Sequence, residues 1–140
     1  MPIQDLARDD VVKTTPETPA VELARMMRDE SVGSVVITED DYLVGIVTDR
    51  DLATRVLAEG RNADNLTAEN VMTSDVCSIG VDAGFHEAAQ MMRENGVRRL
   101  PICNENDELV GIITVDDLTE LLADEQEQLA AVVRAQRPAY

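Results

Sequence analysis

Two short stretches of this chain carry the same set of side chains at the same spacing. One is Gly45-Ile46-Val47-Thr48-Asp49-Arg50-Asp51 and the other is Gly111-Ile112-Ile113-Thr114-Val115-Asp116-Asp117. Both read as glycine, two apolar residues, threonine, two residues and aspartate, at a point where an apolar strand gives way to a helix. A helix start presents free N–H groups and a partial positive charge, which favour phosphate. Thr48 and Thr114 can donate a hydroxyl to a phosphate or sugar oxygen. Asp51 and Asp117, one turn on, can accept from both hydroxyls of a ribose. A lone phosphate would be repelled by an acid so close, so the two aspartates point to a sugar diol. The apolar pairs, with Ile46 and Ile112, can face a flat base. One such stretch alone reads equally well as a capping box, with Thr48 closing the helix and Asp51 in its first turn.

Counter-charge for a phosphate is unevenly supplied. The second stretch follows Arg98-Arg99, where the first follows Gly33-Ser34. Arg98 and Arg99 can serve one cleft and Arg50 the other. In the plainer reading these arginines pair with surface acids. If they bind phosphate, the two clefts differ in affinity or in ligand.

The elements that position these residues come from a duplication. Asp10-Val11 aligns with Asp75-Val76, Met26-Met27-Arg28 with Met91-Met92-Arg93, and Val32 with Val97, an offset of 65. One extra residue then brings Leu43-Val44-Gly45-Ile46 onto Leu109-Val110-Gly111-Ile112. Each copy reads as strand, helix, two strands, helix. The first helix is expected to open at Thr18 as N-cap with Pro19 in its first turn. Its apolar face is Ala20, Leu23, Ala24 and Met27, matched by Phe85, Ala88, Ala89 and Met92. Val35-Val36-Ile37 and the strand from Leu43 to Val47 flank a polar turn, as do Leu100 to Cys103 and Leu109 to Ile113, so each pair predicts an antiparallel hairpin. Final helices are expected from about Asp49 to Glu59 and from about Val115 to Arg134. The boundaries are residues 1–60 for the first copy, a turn-rich linker over 61–67, 68–123 for the second copy and 124–140 for a helical extension and tail. Docking the two sheets face to face would hide their apolar surfaces and leave two related clefts.

Composition narrows the function. Acids outnumber bases 28 to 12 for a net charge of -16, which repels nucleic acid and anionic lipid. Lys13 is the only lysine, and an acid-rich, lysine-poor chain points to a salt-loving source, with an ordinary acidic bacterial protein as the alternative. Cys77 and Cys103 lie in apolar runs outside any CxxC spacing and read as buried free thiols in a reducing cytosol. No run nears the roughly 18 apolar residues of a membrane span, and no leader pattern opens the chain, so a cytoplasmic location is expected. His86, the only histidine, follows Phe85 on a helix and reads as solvated. Nothing pairs as Cys-His or Ser-His at a motif spacing, and no metal-ligand cluster stands out, so the chain is not expected to be an enzyme.

The chain resembles the CBS (cystathionine β-synthase) domain family over roughly residues 3–123. The features that carry the likeness are Val11-Val12-Lys13-Thr14-Thr15-Pro16, the helix with Ala-x-x-Met, Asn70-Val71-Met72-Thr73-Ser74-Asp75-Val76, Arg98-Arg99-Leu100-Pro101-Ile102 and both Gly-apolar-apolar-Thr-x-x-Asp ends. The resemblance implies an α+β fold of two tandem β-α-β-β-α repeats, packed sheet to sheet about a pseudo-twofold axis, with a C-terminal helical extension. It implies a module, often homodimeric, whose clefts take AMP, ADP, ATP or S-adenosylmethionine, with Mg²⁺ arriving only alongside ATP and no obligatory cofactor. It would put ribose on Asp51 and Asp117, phosphate or ribose on Thr48 and Thr114, and the base on Ile46 and Ile112. Val32-Gly33 and Val97-Arg98 of the opposite copy would help to line the base pockets. The expected function is a sensor that modulates a separate partner protein. The competing reading is a dimeric interaction scaffold with vestigial clefts, which the intact Thr-x-x-Asp ends disfavour.

Overall fold

The computed structural model describes residues 3–138. Each copy builds a three-stranded sheet. In the first, β1 (Lys13–Thr14) runs parallel to β2 (Ser34–Glu39), and β2 is antiparallel to β3 (Tyr42–Thr48). In the second, β4 (Ile79–Gly80), β5 (Arg99–Cys103) and β6 (Leu109–Thr114) repeat that order. The helix α1 (Ala20–Glu30) links β1 to β2, and α4 (Phe85–Asn95) links β4 to β5. Each sheet feeds a closing helix, α2 (Asp49–Asp51) or α5 (Val115–Gln136), and α3 (Ala68–Val71) precedes the second copy.

The hairpins have local causes. Asp40 and Asp41 both take positive φ (52° and 69°), and Glu39 faces Tyr42 across the turn. A two-residue turn with both central residues left-handed matches the twist of the strands it joins. The longer second turn is held by the Asn104 side chain, which accepts from the Asn106 and Glu108 amides at 2.9 and 3.0 Å. Both hairpins carry an irregularity at the same place, Ile37/Thr38 and Ile102/Cys103, as a duplication requires.

Side-chain alternation divides the interior. Val35, Ile37 and Val47 pack with Leu23 and Met27 of α1 in one core, while Leu100, Ile102 and Ile113 pack with Ala88 and Met92 of α4 in the other. The alternate residues Val36 and Pro101 are equally buried, although they point away from these helices. The two hairpins meet at their turns, where Tyr42 bridges Glu108 and the Leu109 amide donates to the Asp41 carbonyl at 3.0 Å.

The lead-in segments are exchanged between copies. Ile3, fully buried, sits in the core of the second copy, with Leu6 and Ala7 packed beside it. Leu66, Ala68 and Val71, which precede β4, complete the core of the first. Arg8 exchanges two backbone hydrogen bonds with Ile112, both 3.0 Å, and Thr73 does the same with Ile46 at 2.9 and 3.0 Å. Each sheet thereby gains a short extra strand on its outer edge. The crossing runs over the motif glycines. A Cβ on Gly45 would collide with Met72 Sδ, and one on Gly111 would lie 3.0 Å from the Arg8 carbonyl oxygen.

Four local expectations are corrected. Pro19, not Thr18, occupies the N-cap of α1, without a side-chain cap. Thr18 is drawn off to hydrogen-bond Thr14 through its hydroxyl at 2.6 Å, and its carbonyl accepts from the Ala68 amide at 2.7 Å. Ala24 is exposed, so the buried face of α1 is Ala20, Leu23 and Met27. The helix after Thr48 is α-helical only to Asp51 and continues with wide π-type turns over Leu52–Leu57. Cys77 is only half-buried, whereas Cys103 is buried.

Candidate functional site

The two strand-to-helix junctions are built alike. Thr48 closes α2 with its hydroxyl oxygen, which accepts from the Asp51 amide at 3.1 Å, and Asp51 Oδ2 accepts from the Thr48 amide at 2.9 Å. At the second junction the same bonds measure 3.2 and 2.9 Å between Thr114 and Asp117. Both are reciprocal capping boxes. In each box two groups remain for other partners: the threonine O–H, which can still donate, and the aspartate Oδ1. A donor beside a carboxylate oxygen suits a vicinal diol.

The helix starts themselves offer less than the sequence suggests. The Asp49 amide donates to the Gly33 carbonyl at 3.0 Å, and the Arg50 amide to Asp49 Oδ1 at 2.8 Å. At the second junction the Val115 amide donates to the Arg98 carbonyl at 2.8 Å. These three N–H groups are committed, so fewer backbone donors are left for negative charge on a ligand and side chains must supply most of the rest.

Gly33 and Arg98 each close the junction of their own copy through these carbonyls. Val32 and Val97 precede them, with amides bonded to the Met27 and Met92 carbonyls at 3.0 Å. Ile46 and Ile112 stand two residues before each threonine, on the same strand face, and are half-buried. Arg99 reaches across to the first copy. A Cβ on Gly33 would meet Arg99 Nη2 at 3.2 Å and Asp49 Oδ2 at 3.3 Å. Arg98 stays on its own side, 3.6 Å from Asp116, with both groups well exposed. Arg50 is exposed on the surface of α2.

Two arginines that face the aspartates escaped the sequence reading. Arg55 Nη2 lies 3.7 Å from Asp51 Oδ1, and Arg8 Nη2 lies 3.5 Å from Asp117 Oδ1. The aspartate side chains are only 15% and 9% exposed. Arg55 stands four residues after Asp51, a helix-neighbour spacing that could have flagged it. Nothing in the local sequence ties Arg8 to Asp117.

A hollow of about 240 Å³ is lined by Ala7, Arg8, Asp9, Val81, Ile102, Val110 and Gly111. A larger one, about 530 Å³, lies along Ser78 to Ala83 against Met91 and Cys103, and neither hollow is lined by any of the expected site residues. Burial is the main cause that pushes both thiols above their ordinary range. Asp75 adds to it at Cys77, and at Cys103 Asp107 also raises it while a Ser78 hydrogen bond lowers it. His86 is exposed. Among the described residues no three His, Cys, Asp or Glu side chains gather as metal ligands, and no helix is long and apolar enough to cross a membrane.

The CBS domain family model matches this chain twice, over residues 3–58 and 68–124. The chain belongs to the CBS domain family. Its two copies are tandem CBS repeats, and the twin junctions are the ends of those repeats. An uncharacterized protein of Methanopyrus kandleri is 39% identical over 120 residues, which cover 85% of this chain and 61% of that protein, so the chain spans somewhat less than two thirds of that relative. The CBS domain protein PAE2072 from Pyrobaculum aerophilum, solved in complex with AMP, is 25% identical with a TM-score of 0.77, covering 84% of this chain and 89% of that one. The CBS domain pair of protein MJ0100, solved with 5′-methylthioadenosine and S-adenosyl-L-methionine, shares the fold at 23% identity and a TM-score of 0.79, covering 87% and 99%.

Proposed function

We propose that this CBS pair is a regulatory sensor of adenosine-containing ligands, in the AMP, ADP, ATP or S-adenosylmethionine class, and not an enzyme. The observation that carries the reading is what each capping box leaves outside its own bonds, present twice: one threonine O–H, and one aspartate Oδ1 that faces only an arginine side chain. Ribose hydroxyls donate to Asp51 or Asp117, Thr48 or Thr114 donates back, and Ile46 or Ile112 contacts the base. The AMP complex of PAE2072 supports the ligand class. Arg50, Arg98 and Arg99 meet phosphate charge, with Mg²⁺ entering only as the companion of ATP.

Ligand held between the copies favours one arrangement of the pair by its differential affinity, and a separate partner protein reads that arrangement. The unit works as a cytoplasmic homodimer, with repeats over 1–60 and 68–123 joined by 61–67. Residues 124–140 are available to a second subunit, and the acidic surface is suited to high salt. The scaffold reading has one observation in its favour: both Thr-x-x-Asp sets already work as helix caps.

Isothermal titration with AMP, ATP and S-adenosylmethionine separates the two. The sensor reading expects saturable binding that Asp51→Ala and Asp117→Ala each weaken. Each substitution also removes the bond from the threonine amide to the aspartate, half of a capping box, at a cost of about 0.5–1.5 kcal/mol of stability. Binding of none of the three ligands by the folded protein leaves the scaffold.

A further inference from the structure

The two junctions hold their aspartates differently. Arg55 is fixed by three groups: Asp51, the Val71 carbonyl at 2.8 Å and Thr73 Oγ1 at 3.1 Å. Arg8 reaches Asp117 through a single long contact of 3.5 Å, and its side chain is 66% exposed. Its backbone, by contrast, is anchored to Ile112 on both sides of the peptide. The guanidinium can therefore leave Asp117 without disturbing the chain that carries it. A long, exposed ion pair of this kind contributes little to stability, so little opposes the move.

The surroundings of Asp117 call for such a mobile cation. Asp9 follows Arg8 in the chain and Asp116 precedes Asp117 on α5, in a chain whose net charge is -16. The Thr114, Val115 and Asp117 amides are committed to Asp117, Arg98 and Thr114. The Arg98 guanidinium is already paired with Asp116 at 3.6 Å, so an anionic group beside Asp117 gains from a second guanidinium that turns toward it. Arg8 also forms part of the wall of the 240 Å³ hollow, which falls below the roughly 300–1,000 Å³ of small-molecule sites.

We propose that the second junction is selective for adenosine ligands with a negatively charged 5′ substituent, and that Arg8 reads that charge. The ribose diol takes Asp117 Oδ1, and the displaced Arg8 guanidinium swings to the phosphate. This rests on the sensor reading and assigns its anion preference to one cleft. At the first junction the equivalent arginine is tied down, so charge selection there falls to Arg99.

The test is calorimetric titration of the full chain with adenosine and with AMP, for the wild type, Arg8→Gln and Arg8→Lys. A lost charge-assisted contact corresponds to roughly a ten- to hundredfold weaker AMP affinity. That loss is expected at one of two sites in Arg8→Gln, with adenosine affinity unchanged or slightly higher and Arg8→Lys keeping most of the AMP binding. Equal losses for adenosine and AMP would make Arg8 a structural residue and overturn the proposal. So would unchanged AMP binding in Arg8→Gln, while leaving the sensor reading intact. A wild type that binds neither compound removes both.

Discussion

Replacing either motif glycine by alanine should reveal the exchanged segments, because the two substitutions meet different obstacles. In an ordinary strand the change is favourable by about 0.5–1 kcal/mol, since glycine loses more freedom on folding. At Gly111 the added methyl meets the Arg8 carbonyl at 3.0 Å, with Ala7 Cβ at 3.6 Å and Ile102 Cδ1 at 3.8 Å. The Arg8 carbonyl cannot turn aside, because it accepts the Ile112 amide at 3.0 Å within a two-bond bridge. Overpacking of this kind costs about 1–3 kcal/mol. Set against the strand gain, Gly111→Ala should lose about 1 kcal/mol net, close to the worth of one hydrogen bond. The cost should also show as faster exchange of the Ile112 amide, as the lead-in strand lifts.

At Gly45 the nearest atom, Met72 Sδ, is closer still, but it belongs to a flexible, half-buried side chain, and the backbone obstacle, Thr73 O, is at 3.2 Å. Gly45→Ala should therefore be destabilising in the natural sequence and close to neutral when Met72 is also alanine. No neighbouring side-chain truncation should rescue Gly111→Ala. Urea unfolding followed by far-ultraviolet circular dichroism suits a chain without tryptophan. A stabilising Gly111→Ala, or a Gly45→Ala penalty that is the same with and without Met72, would refute the account of why these positions are glycine.

Two further outcomes follow from the surface and the thiols. Removing residues 127–140 takes away exposed Leu129, Val132 and Val133 and, among the described residues, no buried side chain, so stability should change by less than about 0.5 kcal/mol. The proposed homodimer should then dissociate more readily in light scattering, and an unchanged assembly would free the extension of that role. Cys77 and Cys103 both have raised thiol pKa values, so the reactive thiolate is scarce at neutral pH and grows only as pH rises through the raised value. Alkylation of the native protein at pH 7 should be slow, faster at half-buried Cys77 than at Cys103, and quick at both after unfolding. Rapid native labelling of Cys103 would contradict its burial.

The features legible in the sequence are those set by neighbours along the chain. The duplication, both hairpins and both Thr-x-x-Asp capping boxes arise within a few residues, and side-chain types at fixed spacing specify them. The exchange of lead-in segments is a contact between distant parts of the chain. Ile3 looks like any isoleucine near an end, yet it fills the core of the second repeat. The same distance hides the pairing of Arg8 with Asp117, 109 residues apart. Thr18 shows local preference losing to a long-range demand, because its carbonyl and hydroxyl serve Ala68 and Thr14 rather than the cap. The helix starts were overvalued for the same reason, since sequence alone cannot show that the Gly33 and Arg98 carbonyls take up amides there.

The exchange also sets how the two junctions can influence each other. The arginine at each aspartate is tied to the segment that leads into the other repeat of the fold. Arg55 binds Val71 and Thr73, in the segment that opens the second repeat, and Arg8 lies in the segment that opens the first while pairing with Ile112 of the second. In the proposed reading, a ribose that displaces Arg8 from Asp117 gives up one exposed 3.5 Å contact. One that displaces Arg55 from Asp51 also strains two hydrogen bonds to the crossing strand, each worth about 0.5–1.5 kcal/mol. The second junction is therefore the easier to fill, and the first is the one whose filling pulls on the crossing segment. Any coupling so produced acts equally in both directions, because linkage between two binding equilibria is reciprocal.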